Sequence, residues 1–142
     1  MIKTPLDIGN FIKDKDIKYI PNDWHITEDF TWNEFLIKQT EKPNLRILLN
    51  LKIIADVLQR HRGILKKPIT ITSGWRSESY NKKIGGAANS YHVQGLAVDF
   101  VVKDYTPQEV QKRLDPIHNG GMEYAPTWTH IDARGKKARF KP

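Results

Sequence analysis

Apolar residues recur at Ile47, Leu51, Ile54 and Leu58, at spacings of four, three and four, and so lay one stripe along a helix. Asn44, after Pro43, is a suitable N-cap, and Arg60 and Arg62 suit a last turn that Gly63 should end. This is the longest helix the pattern predicts, and it should be the main packing element behind a sheet. Thr31 and Glu34 have capping-box spacing, which predicts a short helix from Trp32 to about Lys38. Pro68 opens a β-branched run, Ile69 to Thr72, that reads as a strand until Ser73-Gly74 breaks it. Ser77 caps a short helix over ESYNKKI, stopped by Gly85-Gly86. A second strand runs from Gly95 through Val101. Thr106, Pro107 and Glu109 then start another helix, over DYTPQEVQKRL. The segment GGMEYAPTWTHIDARG reads as a hairpin with Ala125-Pro126-Thr127 near its turn. Residues 1–30 show no clear period and are expected to be an irregular N-terminal segment. The order predicts an α+β fold: a single domain over residues 1–142, with a small, mainly antiparallel sheet and helices packed on one side.

Composition narrows the chemistry more than the fold. The 142 residues suit one ordinary domain, and no apolar run approaches the roughly 18–20 residues of a membrane span. The N-terminus lacks the continuous apolar core of a secretory leader, so the chain is expected to start in the cytosol. There is no cysteine, which excludes disulfides and thiolate ligands; any metal must be held by His, Asp or Glu. The net charge of +7 favours a polyanionic partner such as nucleic acid, acidic lipid or a bacterial wall. That charge is spread in small clusters, with no Arg-rich arm or aromatic-basic ribbon, so no specific nucleic-acid binding is expected.

The second strand carries an acid that a core does not need. Leu96, Val98 and Phe100 alternate onto one face, and Ala97, Asp99 and Val101 onto the other. His92 lies in the loop entering this strand, where it can turn back over Gly95 toward Asp99. On the last strand, Thr129 and Ile131 share one face, and Trp128, His130 and Asp132 the other. Should the two strands neighbour each other, His92, Asp99 and His130 converge. Two imidazoles and one carboxylate, with a fourth position open to water, make up a common catalytic zinc site. Ser90 has no adjacent general base, which argues against a serine nucleophile. His25, His61 and His118 are expected to have surface or capping roles. Trp75 and Trp128 suit either a cleft wall or the core.

The segments SGWRS (Ser73 to Ser77), SYHVQGLAVD (Ser90 to Asp99) and THID (Thr129 to Asp132) carry a resemblance. Together they resemble the zinc D-Ala-D-Ala carboxypeptidase and L-alanyl-D-glutamate endopeptidase family of metallopeptidases, with its short phage-type branch the nearest. The family signature Ser-x-His-x-x-Gly-x-Ala-x-Asp is met at Ser90, His92, Gly95, Ala97 and Asp99, and the later His-x-Asp strand at His130 and Asp132. The resemblance covers roughly residues 30–139.

It implies a zinc peptidase acting on bacterial peptidoglycan stem peptides, with His92, Asp99 and His130 as the zinc ligands. It also implies that Arg76 binds substrate, which its guanidinium suits, because it can hold a carboxylate through two parallel hydrogen bonds. Ser90 joins Arg76 on the substrate side and caps or braces the His92 loop. One position departs from the family: relatives often carry Glu or Asp three residues before the last His, and here Thr127 stands, which cannot act as a base. Glu123, across the hairpin turn from His130, and Asp132, on the same strand face, are the substitutes. Glu123 is the preferred base, and an orienting role for Asp132 stays open. A monomeric, phage-type lytic enzyme released by a holin or carried on a virion fits this picture, as does an exported wall enzyme. The +7 charge would then serve as its wall-targeting device. The alternative is a catalytically silent zinc-binding module of the same fold, such as a phage tail component.

Overall fold

A computed structural model describes residues 1–37 and 39–141. Three helices start with the same device. Thr4, Thr31 and Thr106 each accept from the backbone N–H three residues on, while Asp7, Glu34 and Glu109 reach back to the cap N–H. These boxes open α1 (Pro5–Phe11), α2 (Trp32–Phe35) and α5 (Pro107–Leu114). Asn44 and Ser77 cap α3 (Leu45–Leu65) and α4 (Glu78–Lys83) through single hydrogen bonds. The strands are β1 (Ile69–Ser73), β2 (Ala97–Val102), β3 (Gly121–Glu123), β4 (Thr129–Asp132) and β5 (Ala138–Phe140).

The five strands form one sheet in the order β1-β2-β4-β3-β5. Every pair is antiparallel except β3 and β5. The α+β class with a small, mainly antiparallel sheet is what the sequence pattern predicts. Val98, Phe100, Met122 and Ile131 enter the core, where they join Leu51, Ile54 and Leu58 of α3, all fully buried. Each such side chain contributes about 1.5–3 kcal/mol by leaving water.

Several boundaries differ from expectation. Residues 1–30 are not irregular throughout. They contain α1 and a 3-10 turn at Ile17–Tyr19, and His25 bridges to Ile2 and Thr31. With only seven residues, α1 shows too short a period to read, although Ile8 and Ile12 are buried. The helix begun at Trp32 stops at Phe35, and Lys38 lies outside the described residues. α3 runs through Gly63 to Leu65, and Lys66 closes it in the left-handed conformation. Burial of Leu65 accounts for this: a buried leucine outweighs the cost of about 1 kcal/mol for glycine inside a helix. β5 went unpredicted because three half-buried residues carry no alternation, and β3 alone pairs with it.

Two irregularities point the sheet at one place. β1 and β2 slip by one residue between Ile71 and Ser73, a bulge that sets Ser73 opposite Asp99. Gly95 has φ +76, and a Cβ there would lie 3.0 Å from the Ile47 carbonyl oxygen of α3. Only glycine suits both the conformation and the close approach that lead the chain from His92 into β2. Among the described residues, no helix is long and apolar enough to cross a membrane.

Candidate metal centre

The β2–β4 register pairs Asp99 with His130, so their side chains stand side by side on one face of the sheet. His92 arrives from the loop before β2. Its backbone N–H is accepted by Ser90 Oγ at 3.1 Å, so Ser90 braces the turn. The His92 carbonyl accepts from Arg76 N at 3.1 Å, and the Val93 carbonyl from Trp75 Nε1 at 3.1 Å. Trp75 is buried in the core and ties the β1–α4 connection to the histidine loop.

One ligand atom each from His92, Asp99 and His130 lies within 4.8 Å of the others. His92 Nε2 is 3.2 Å and His130 Nδ1 is 2.8 Å from the same oxygen, Asp99 Oδ1. Both rings are anchored from behind. His92 Nδ1–H donates to the Gly74 carbonyl at 2.7 Å, and His130 Nε2–H donates to Asp132 Oδ2 at 3.1 Å. A neutral imidazole with one nitrogen engaged as donor presents a lone pair at the other. Two imidazole lone pairs and a carboxylate oxygen therefore meet in one spot, and such a set requires a positive charge between its members.

The titration behaviour agrees. Burial raises the Asp99 carboxyl, but the hydrogen bond from His130 and the two imidazoles beside it hold it well below the usual carboxylate range. Burial likewise works against charge on His130, yet Asp132 and Asp99 push it up to about 9. Without a metal, a proton on His130 supplies the charge. The donor set also fits a borderline divalent ion such as zinc, with imidazole nitrogen and carboxylate oxygen as ligands.

Around this cluster, Arg76 Nη2 lies 3.5 Å from Asp99 Oδ2 and Arg76 Nε donates to Ser73 Oγ at 3.2 Å, so the guanidinium is part of the site. Glu123 is the β3 partner of His130, on the adjacent strand, and is half-buried. Asp132 is fully buried and occupied: Oδ1 accepts from Gly121 N and Arg134 Nε, and Oδ2 from Arg134 Nη2 and His130. Thr127 is exposed in the β3–β4 turn.

Two expectations are corrected here. His61 and His118 are neither surface nor capping residues; both are buried and hydrogen-bonded to each other at 3.0 Å. Alternation alone could not place them, because they come from a helix and a loop 57 residues apart. Arg134 and Tyr91 escaped the sequence reading. The one available signal for Arg134 was its position two residues after Asp132 and just before Gly135, which has φ +84 and turns the chain back.

A small α+β domain that gathers two histidines and an aspartate beside an arginine has the donor set of a metal site. The chain belongs to the peptidase M15 family: residues 28–132 match that family. It is similar to the probable peptidoglycan L,D-endopeptidase MepK of Haemophilus influenzae, with 33% identity over 82 residues, covering 53% of this chain and 44% of that protein. It is also similar to the peptidoglycan L,D-endopeptidases MepK of Escherichia coli K12 and Shigella flexneri. Each is 34% identical over 86 residues, covering 54% of this chain and 47% of the relative. The chain thus matches somewhat less than half the length of these relatives.

Proposed function

We propose that this domain is a zinc-dependent peptidase that hydrolyses peptidoglycan stem peptides. The observation that supports this best is the convergence of His92 Nε2, His130 Nδ1 and Asp99 Oδ1, each imidazole fixed by a bond from its far nitrogen. Zinc held by His92, Asp99 and His130 would supply Lewis acidity toward water and the scissile carbonyl. Glu123, beside His130, accepts the proton of the attacking water and later returns one to the leaving amine. Asp132, fully engaged and sealed from solvent, orients His130 instead of acting as base. Arg76 uses N–H groups not spent on Ser73 and Asp99 to hold a carboxylate of the peptide. Ser90 keeps the His92 loop in place. The name of the relatives favours an internal L,D bond as the target over removal of a terminal D-Ala. A lytic role at the bacterial wall follows from that substrate.

Mass spectrometry of peptidoglycan digests, with and without a chelator, tests the reading. New muropeptides cut at an L,D bond are expected, lost on chelation and restored by zinc. Thr127, which puts no acid three residues before His130, favours a second reading, a zinc-binding module without turnover. Bound zinc with no new muropeptide would establish it.

A further inference from the structure

We propose that Arg134 is a positioning residue for the metal centre: clamped between Tyr91 and Phe140, it locks the Asp132 carboxylate that holds His130. This rests on the reading of His92, Asp99 and His130 as metal ligands. The guanidinium meets Asp132 in a fork, Nη2 to Oδ2 at 2.7 Å and Nε to Oδ1 at 2.8 Å, and Arg134 N adds a bond to Oδ1 at 3.3 Å. Two parallel bonds fix the plane of a carboxylate as well as its position. The plane matters because Oδ2 must also face His130 Nε2 at 3.1 Å. With that acceptor in place, the ring carries its proton on Nε2 and keeps the Nδ1 lone pair for the cluster. An unlocked carboxylate would let the ring rotate or adopt the other tautomer, and the donor atom would be lost.

The clamp explains how the fork is held. The Arg134 Cζ lies 4.8 Å from the Tyr91 ring centroid and 5.1 Å from that of Phe140. Tyr91 directly precedes His92, and the Phe140 ring is 5.9 Å from that of His130. One side chain therefore touches the segments that carry both histidines, and it anchors β5 to the site. A lysine could keep the charge but not the two-bond fork. Arg139 provides an internal control. It is equally well bonded, to Asp115, His118 and Gly120, but braces the 115–120 turn and not Asp132.

Zinc affinity, measured by competition with a chromogenic chelator, tests the proposal, with the thermal midpoint of metal-free protein followed in parallel. R134Q is expected to weaken zinc binding about 10–100-fold, and R134K to fall between it and the parent protein. R139Q should lower the midpoint yet keep zinc affinity within about twofold. Parent-like zinc affinity in R134Q and R134K, or an equal loss in R139Q, would overturn the proposal; if R134Q does not fold, R134K decides. Failure of the parent protein itself to take up zinc would remove the reading of the site, and that arm stands apart from the variants.

Discussion

The molecule contains two histidine pairs of nearly equal spacing, one fully buried and one with His130 half-buried, and they behave in opposite ways. His92 and His130 have ring centroids 5.2 Å apart, and His61 and His118 5.1 Å apart. In the first pair Asp99 stands between the rings, and each ring spends its far nitrogen on a fixed acceptor. In the second pair no carboxylate intervenes. His118 Nε2–H donates to the Gly121 and Asp132 carbonyls, so its Nδ1 can only accept, and His61 Nε2–H donates to it. One nitrogen of each ring is spent on the other, and the buried His61 Nδ1 has no hydrogen-bond partner among the described residues. Burial pushes His61 down to about 4 and holds His118 below its ordinary value, while the carboxylates lift His130 to about 9. Proximity is common to both pairs; the carboxylate and the outward anchoring make one a candidate metal centre and leave the other a structural brace beneath the Asp132 carbonyl.

The largest effect should come from removing that difference. His92→Ala or Asp99→Asn should reduce turnover to background and weaken zinc by more than the ~10–100-fold expected of an outer partner. The same substitution at His61 should leave zinc affinity unchanged. Metal analysis of purified variants checks both, and zinc retained by His92→Ala would sink the metal assignment. Next, Glu123→Gln should lower kcat by about 10²–10⁴ while zinc stays bound, as expected for loss of a general base. Steady-state kinetics on a purified stem peptide would read this out, and an unimpaired variant would move the base elsewhere.

The smallest effect is on stability against pH, and the two pairs should have opposite signs. Unfolded His61 takes a proton near pH 6.5 and folded His61 only near 4, so between them the unfolded chain holds more protons. Its contribution is full above 6.5 and is lost toward pH 4, by at most about 3 kcal/mol. For His130 in metal-free protein the folded state binds its proton up to about 9. That contribution is full below 6.5 and is lost as pH rises toward 9. Urea unfolding of chelated protein should therefore show a stability maximum near the ordinary histidine value. His61→Gln should flatten the acid limb, and saturating zinc, which replaces the proton on His130, the alkaline one. A profile unchanged by either would contradict the comparison.

Much of this was legible in the chain, element by element. The threonine boxes at Thr31 and Thr106, the α3 stripe and the alternation through Val98, Asp99 and Phe100 are local signals, and the structure keeps them. The candidate site was legible because its residues belong to short motifs, His92 to Asp99 and His130 to Asp132, whose strand faces could be assigned from a period of two. α1, β5 and the end of α3 were not legible. Each is decided by packing against distant residues, as when burial of Leu65 carries α3 past Gly63. The same holds for Arg134, whose partners Tyr91 and Phe140 lie far from it along the chain or on a strand with no pattern of its own.

By itself, the order of residues determined which side chains could serve: no cysteine, a histidine and an aspartate seven apart, and a His-x-Asp on a later strand. It determined their faces too, because the pleat alternates whatever surrounds it. Only the tertiary structure decided that Asp99 pairs with His130, that the far nitrogens of both imidazoles are held, and that His61 and His118 close on each other. A ring nitrogen's role depends on what sits at its opposite edge, and that neighbour is supplied by packing across the fold, beyond the reach of any local pattern.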